Sequence, residues 1–158
     1  MQTITIHKAT ADDASVIAQM AHELAAFEGE PSRACEQSIA VALAGSEPRC
    51  YALLANAGKQ AIGFALYYGG YDLSSASYGF HLADIFVKEA HRGQGAGRAL
   101  IARIAAHAKE EEREWVSLTA LATNDKAEAF YRQLGFHLAP IKFYAIGAKR
   151  LEKIQRKE

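Results

Sequence analysis

The chain has 158 residues, half of them hydrophobic, enough for one domain with a sizeable core that needs no disulfide or metal staple. Lysine plus arginine and aspartate plus glutamate both number 18, and a net charge of zero offers no electrostatic footprint for nucleic acid or an anionic membrane. Cys35 and Cys50 form neither a C-x-x-C pair nor a disulfide framework and no apolar run reaches the length of a membrane span, so the cytoplasm is the expected address.

Ile4 and Ile6 alternate in TITIH, which predicts a strand and lacks the basic and apolar regions of a leader peptide. Thr10 then offers an N-cap, with Asp13 near the positive end of a helix whose apolar stripe is Val16, Met20, Leu24 and Phe27. EGEP, with Gly29 and Pro31, ends that helix, and a second is expected over Ser32 to Ala44. Tyr51 to Ala55 and Ala61 to Tyr68 predict a hairpin around the turn NAGK, GGYDLSSAS reads as a loop, and Tyr78 to Val87 as a third strand of this group. The next helix buries Leu100, Ile101, Ile104, Ala105 and Ala108 and leaves Arg98, Arg103, His107 and Lys109 elsewhere on its surface. A strand over Trp115 to Leu121, a helix over Asn124 to Leu134 closed by Gly135, and two strands in FHLAP and KFYAIG complete the order. Trp115 reads as a core residue. The class is α/β: one mixed sheet with helices packed on its faces.

Between the strand ending at Val87 and the helix at Leu100, three glycines fall within five positions, Gly93, Gly95 and Gly97. Bare backbone at a helix N-terminus presents unpaired N–H groups and the positive end of the helix dipole, which suits a phosphate. A P-loop would need G-K-[ST], but Arg98 and Ala99 follow Gly97; the dinucleotide fingerprint G-x-G-x-x-G fails on spacing. A tight turn into a packed helix remains the other reading.

The segment R-G-Q-G-A-G, Arg92 to Gly97, resembles the (R/Q)-x-x-G-x-(G/A) motif of the Gcn5-related N-acetyltransferases, met by Arg92, Gly95 and Gly97. DIFVKEAHRGQGAGRALI is similar to that family's strand, pyrophosphate loop and helix, and TNDKAEAFYRQLGF to its asparagine-capped helix. The amino-terminal segment and FALYY resemble its spermidine/spermine and thialysine branch. The resemblance spans the chain and implies a single domain over residues 1–158, with six to seven strands, splayed central strands and four helices on both faces.

It also implies acetyl-CoA as co-substrate, transfer to a primary amine without a covalent enzyme intermediate, and a set of site residues. Backbone N–H groups of Gly93, Gln94, Gly95, Ala96, Gly97 and Arg98 would hold the pyrophosphate, with Arg92 in support. Main-chain groups of Ile85, Phe86 and Val87 would pair with the pantetheine arm, and the N–H of Ile85 or Phe86 would face the oxyanion. Asn124 would reach the cofactor arm or cap its helix, and Lys126 would approach the phosphates or remain a solvated first-turn lysine. Tyr131 would protonate the departing thiolate, although Ala127, Phe130 and Leu134 share its helical face.

On the acceptor side, alternation puts Leu82, Asp84 and Phe86 on one strand face, with His81 and Ala83 on the other. Asp84 is thus a carboxylate among apolar neighbours, a candidate base of raised pKa. The polyamine branch has glutamate where Ala83 stands and tyrosine where Phe27 stands, which removes one candidate base and bears on specificity. Phe27 and Glu28 remain candidate substrate contacts; Glu28, Glu30, Asp72 and Asp84 form an acidic pocket for a cationic amine or line solvated loops. No H-x-x-x-H or H-E-x-x-H spacing occurs, so no metal is expected. The expected acceptor is a polyamine or lysine-like amino acid, with a protein amine, an aminoglycoside or a catalytically inactive coenzyme A sensor as rivals. The resemblance also implies a homodimer, with KFYAIGAKRLEKI at its interface.

Overall fold

In a computed structural model, which describes residues 3–155, the alternation of Ile4 and Ile6 becomes strand β1 (Ile4–Lys8). β2 (Tyr51–Ala57), β3 (Gln60–Asp72), β4 (Ser77–Val87) and β5 (Trp115–Leu118) follow it in the sheet order β1-β2-β3-β4-β5. Every neighbouring pair is antiparallel except β4 and β5, so the sheet is mixed. The described residues gather into two compact units, one ending at Leu121 and one starting at Ala122, and the sheet lies wholly in the first.

Thr10 starts the first helix as expected: its amide donates to Asp13 Oδ2 at 2.9 Å, and after one 3-10 turn α1 runs over Ala14–Glu28 and stops at Gly29. α2 (Glu36–Leu43) starts at Glu36 rather than at Ser32. Ser32 Oγ accepts from the Ala34 amide at 3.1 Å, a local turn that competes with helical bonding, and the chain stays extended through Cys35.

α1 covers one sheet face, where Ile17 and Met20 pack with Ala52, Leu54, Phe64 and Phe86. α3 (Ala96–Glu110) covers the other, burying Leu100, Ile101, Ile104 and Ala108; burial of each large side chain is worth about 1.5–3 kcal/mol. Ala105, expected on that buried stripe, is exposed. His107, expected on the surface, instead turns inward, because its Nδ1 meets the buried Tyr67 hydroxyl and its Nε2 meets Glu111 Oε1, both at 2.8 Å. Its ring also stacks on Phe80, so aromatic packing and two hydrogen bonds outweigh solvation.

The expected loop GGYDLSSAS is mostly strand. β3 and β4 stay paired out to Asp72 and Ser77, leaving Leu73 to Ala76 as the connection. Composition misleads here because a glycine of this stretch serves packing: a Cβ at Gly70 would stand 3.1 Å from the Trp115 ring, which lies against the sheet and donates its indole N–H to Ser77 O at 3.4 Å, and a Cβ at Gly79 on β4 would collide with the same ring.

In the second unit, Asn124 caps α4 (Asp125–Gln133), its Oδ1 accepting from the Ala127 amide at 3.1 Å. FHLAP and KFYAIG are irregular rather than strands, so the sheet has five strands among the described residues and not six or seven. Pro140 cannot donate to a ladder, and Leu138, Ile141, Phe143 and Tyr144 stand 70–83% exposed. A fifth helix, α5 (Ala148–Gln155), follows, one more than expected.

Candidate active site

β4 ends at Val87, and one 3-10 turn (Glu89–His91) leads into the glycine loop. Arg92 Nε donates to Val87 O at 2.9 Å and Gln94 Nε2 to Ala90 O at 3.1 Å, so two side chains tie the loop back to its own approach. Gly93 and Gly95 have φ of 74° and 94°, left-handed values that favour glycine, and nothing lies within 4 Å of where a Cβ would stand on either. The space beside them is open, a cradle that side chains would fill. Gly95 is the N-cap of α3, and its carbonyl accepts the first helical bond from Ala99 at 2.9 Å. The amides of Ala96, Gly97 and Arg98 belong to the first turn, where no helical acceptor exists. Loop and helix start therefore fit a pyrophosphate.

Parallel pairing between β4 and β5 ends at Leu82–Leu118, and β4 continues alone through Ala83–Val87 on that side. This is the parting of strands implied by the resemblance, and it leaves that edge of β4 without a strand partner toward the gap. Phe86 is 7% exposed and belongs to the α1-face core.

A cavity of about 370 Å³ opens on the α1 face of the sheet. Ile17, Leu24, Phe64 and Leu66 give it an apolar wall, while Glu28, Glu30 and Asp84 bring three carboxylates and Arg33 the one cation of its lining. Burial holds the Asp84 carboxyl above its usual range, although part of the side chain stays open to the cavity. Glu28 is also raised, first by burial and then by the negative charges of Asp84 and Glu30. Three mutually repelling carboxyls around one cavity attract a cation.

Two other acceptor candidates lie outside this lining. The Phe27 ring sits beneath the Arg92 guanidinium, 4.8 Å from its centroid, which ties the end of α1 to the glycine loop. Asp72 holds Ser74 and Ser75 in the tip of the β3–β4 hairpin. Arg33, which the sequence reading did not single out, follows directly on the acidic loop; its only signal was that position.

The expected alternation along β4 fails at one point. Leu66 pairs with Asp84 but Tyr67 pairs with Leu82, so Ala83 is an extra residue in β4, a bulge. Leu82 therefore moves to the α3 face with Phe80 and Tyr67, away from Asp84, and His81 moves to the Asp84 face. There His81 Nδ1 lies 3.0 Å from Ser117 Oγ and its ring 5.3 Å from that of Tyr68.

Within the second unit, Tyr131 packs its ring near Phe130 and Phe136, at 5.4 and 5.9 Å. Lys126 stands in the first turn of α4 beside the capping Asn124. No cluster of three or more metal-ligating side chains occurs among the described residues, and no helix among them is long and apolar enough to cross a membrane.

Residues 17–136 match the model of the acetyltransferase (GNAT) family, and the chain belongs to that family. It is an acetyltransferase, of a family that uses acetyl-CoA as co-substrate. A thialysine N-epsilon-acetyltransferase of Sus scrofa is 29% identical over 145 residues, 85% of each chain. Among solved structures, an integron cassette protein from the mobile metagenome of V. cholerae superimposes with a TM-score of 0.82 at 22% identity, over 99% of this chain and 100% of that one. A ribosomal-protein-alanine N-acetyltransferase from Brucella melitensis gives 0.77 at 23% identity, over 92% and 99%. These last two likenesses show the fold.

Proposed function

We propose that this chain transfers the acetyl group of acetyl-CoA to the primary amine of a small molecule that also carries a carboxylate, a lysine-like amino acid rather than a polyamine. The observation that carries the reading is the cavity lining: Glu28, Glu30 and Asp84 suit an ammonium, and Arg33 suits a carboxylate at the other end of the acceptor. A polyamine would leave Arg33 facing like charge. The thialysine acceptor in the relative's name, a molecule with both groups, agrees with this choice.

When bound, acetyl-CoA supplies an activated thioester. The chain's residues do the rest: backbone amides from Gly93 to Arg98 bind and orient the pyrophosphate, and the main chain of Ile85–Val87 positions the pantetheine arm. Asp84 and Glu28 bind the ammonium, the apolar wall from Ile17 to Leu66 excludes water from it, and Tyr131 gives a proton to the departing sulfur. Asn124 and Lys126 assist the cofactor arm.

The test is coenzyme A release with lysine, thialysine, ornithine, spermidine, an aminoglycoside and N-terminal peptides. The amino acids are expected to turn over fastest, Arg33→Gln to shift preference toward spermidine, and Tyr131→Phe to lower kcat by about 10²-fold. Tight acetyl-CoA binding with no turnover on any amine would identify a sensor instead.

The same reading makes the chain a cytoplasmic homodimer joined through residues 142–154, a segment that leaves Phe143 and Tyr144 80% and 83% exposed. Sedimentation is expected to give twice the chain mass, and the chain mass once both aromatics are replaced by serine. A monomeric wild type would remove this part.

A further inference from the structure

An amine that enters the cavity as an ammonium must shed a proton before its nitrogen can attack, and Asp84 is ill suited to take it. Once paired with the cation, its carboxylate is held ionised. The bulge at Ala83 brings a different group to the same face. His81 occupies the row of β4 just before the Leu82–Leu118 pair at which β4 and β5 part, so it stands at the mouth of the gap, with Asp84 on the other side of the bulge. Ser117 engages Nδ1 at 3.0 Å and the Tyr68 ring flanks the imidazole at 5.3 Å. Two neighbours thus hold the ring, and with Nδ1 engaged by Ser117 it is Nε2 that is left to take a proton. Ionisable groups sharing that face within this unit are Tyr68 and Asp72 on β3, Asp84 on β4, Glu28 at the end of α1, and Glu30 and Arg33 from the loop after it; β5 brings Ser117 and Trp115.

We propose that His81 is the proton acceptor for the amine, directly or through one water, with Ser117 as its positioning residue. This rests on the amine-acetylation reading. The ammonium gives one proton to Nε2, and the freed nitrogen forms the C–N bond at the thioester carbonyl. The C–S bond breaks, the sulfur leaves with the proton of its acid, Tyr131, and the second proton shed by the new amide restores that acid. Net, one proton passes from His81 to solvent. An imidazole suits this task because one ring nitrogen can take a proton while the other is held by a hydrogen bond.

The test is the pH dependence of kcat/KM, on whichever amine of the panel the wild type acetylates, for His81→Gln and Ser117→Ala. The wild type is expected to lose activity on acidification, along one acid limb of the profile. His81→Gln should lower kcat at neutral pH by about 10²-fold, abolish that limb and recover rate as the pH rises, with KM for acetyl-CoA unchanged. Ser117→Ala should keep the limb with a smaller loss of kcat. Asp84→Asn should keep the limb and raise KM for the amine. A His81→Gln enzyme that retains the wild-type limb and rate overturns the assignment while leaving the acetyltransferase reading intact. A wild type that acetylates no amine overturns that reading first, and His81 as its base with it.

Discussion

Asp84→Asn lowers kcat/KM for the acceptor amine by about 10²-fold, since removing one member of a partly buried charge pair leaves the cation without its partner. The same change raises Tm at neutral pH. Burial holds the Asp84 carboxyl above its usual range, so the folded chain binds that proton more readily than the unfolded chain does. Stability therefore falls as pH rises from the ordinary carboxylate pKa through the raised one, and above that window the penalty of a partly desolvated anion is present in full. Asparagine removes it. The gain in Tm is expected at neutral pH and to vanish below the ordinary carboxylate range, where both states carry the proton. In the wild type, KM for the amine should rise on acidification sooner than an ordinary carboxylate would dictate, because Glu28 is raised as well. Melting curves and initial rates across pH check both signs. An Asp84→Asn enzyme with wild-type kcat/KM would take Asp84 out of the acceptor site.

Gly95→Val weakens acetyl-CoA binding by about 10²-fold, the scale on which ångström-level misplacement of binding groups acts. Gly95 has φ of 94° as the N-cap of α3, and a β-branched residue cannot adopt that backbone without strain. The open space beside it would also be filled by the new side chain. Gly95→Ala should fall between the two, because it adds strain of about 1–2 kcal/mol with a smaller obstruction. Titration of acetyl-CoA by calorimetry measures the effect, with far-UV circular dichroism to establish that α3 still forms. Unchanged affinity in a folded Gly95→Val protein would mean that the loop does not hold the cofactor.

What could be read from residues alone divides along physical lines. The caps of α1 and α4, the hairpin of β2 and β3 and the helix after the glycine loop are local: each is specified by side chains within a few positions, such as Thr10 with Asp13 or Asn124 with Ala127. Asp84, Glu28 and the glycines were visible for the same reason, as residue types whose local context limits what they can do. His81 was assigned to the wrong strand face because a period of two holds only for a regular ladder, and nothing in YGFHLADIFV announces the extra residue at Ala83. His107 was taken for a surface residue because its partner Tyr67 is forty positions away. Gly70 reads as loop composition because the Trp115 ring beside it comes from another strand.

By itself, then, the amino-acid sequence determined the class of fold, the glycine loop before α3 and the family, since all three depend on short-range pattern and on motifs whose spacing is set along the chain. The tertiary structure alone decided which side chains share a cavity. Cross-strand register and the return of the α1–α2 loop over the sheet bring Glu28, Arg33 and Asp84 around a single space, and one bulge sets His81 on the same sheet face as Asp84. Those placements depend on contacts between residues distant in sequence, whose energies no local pattern records.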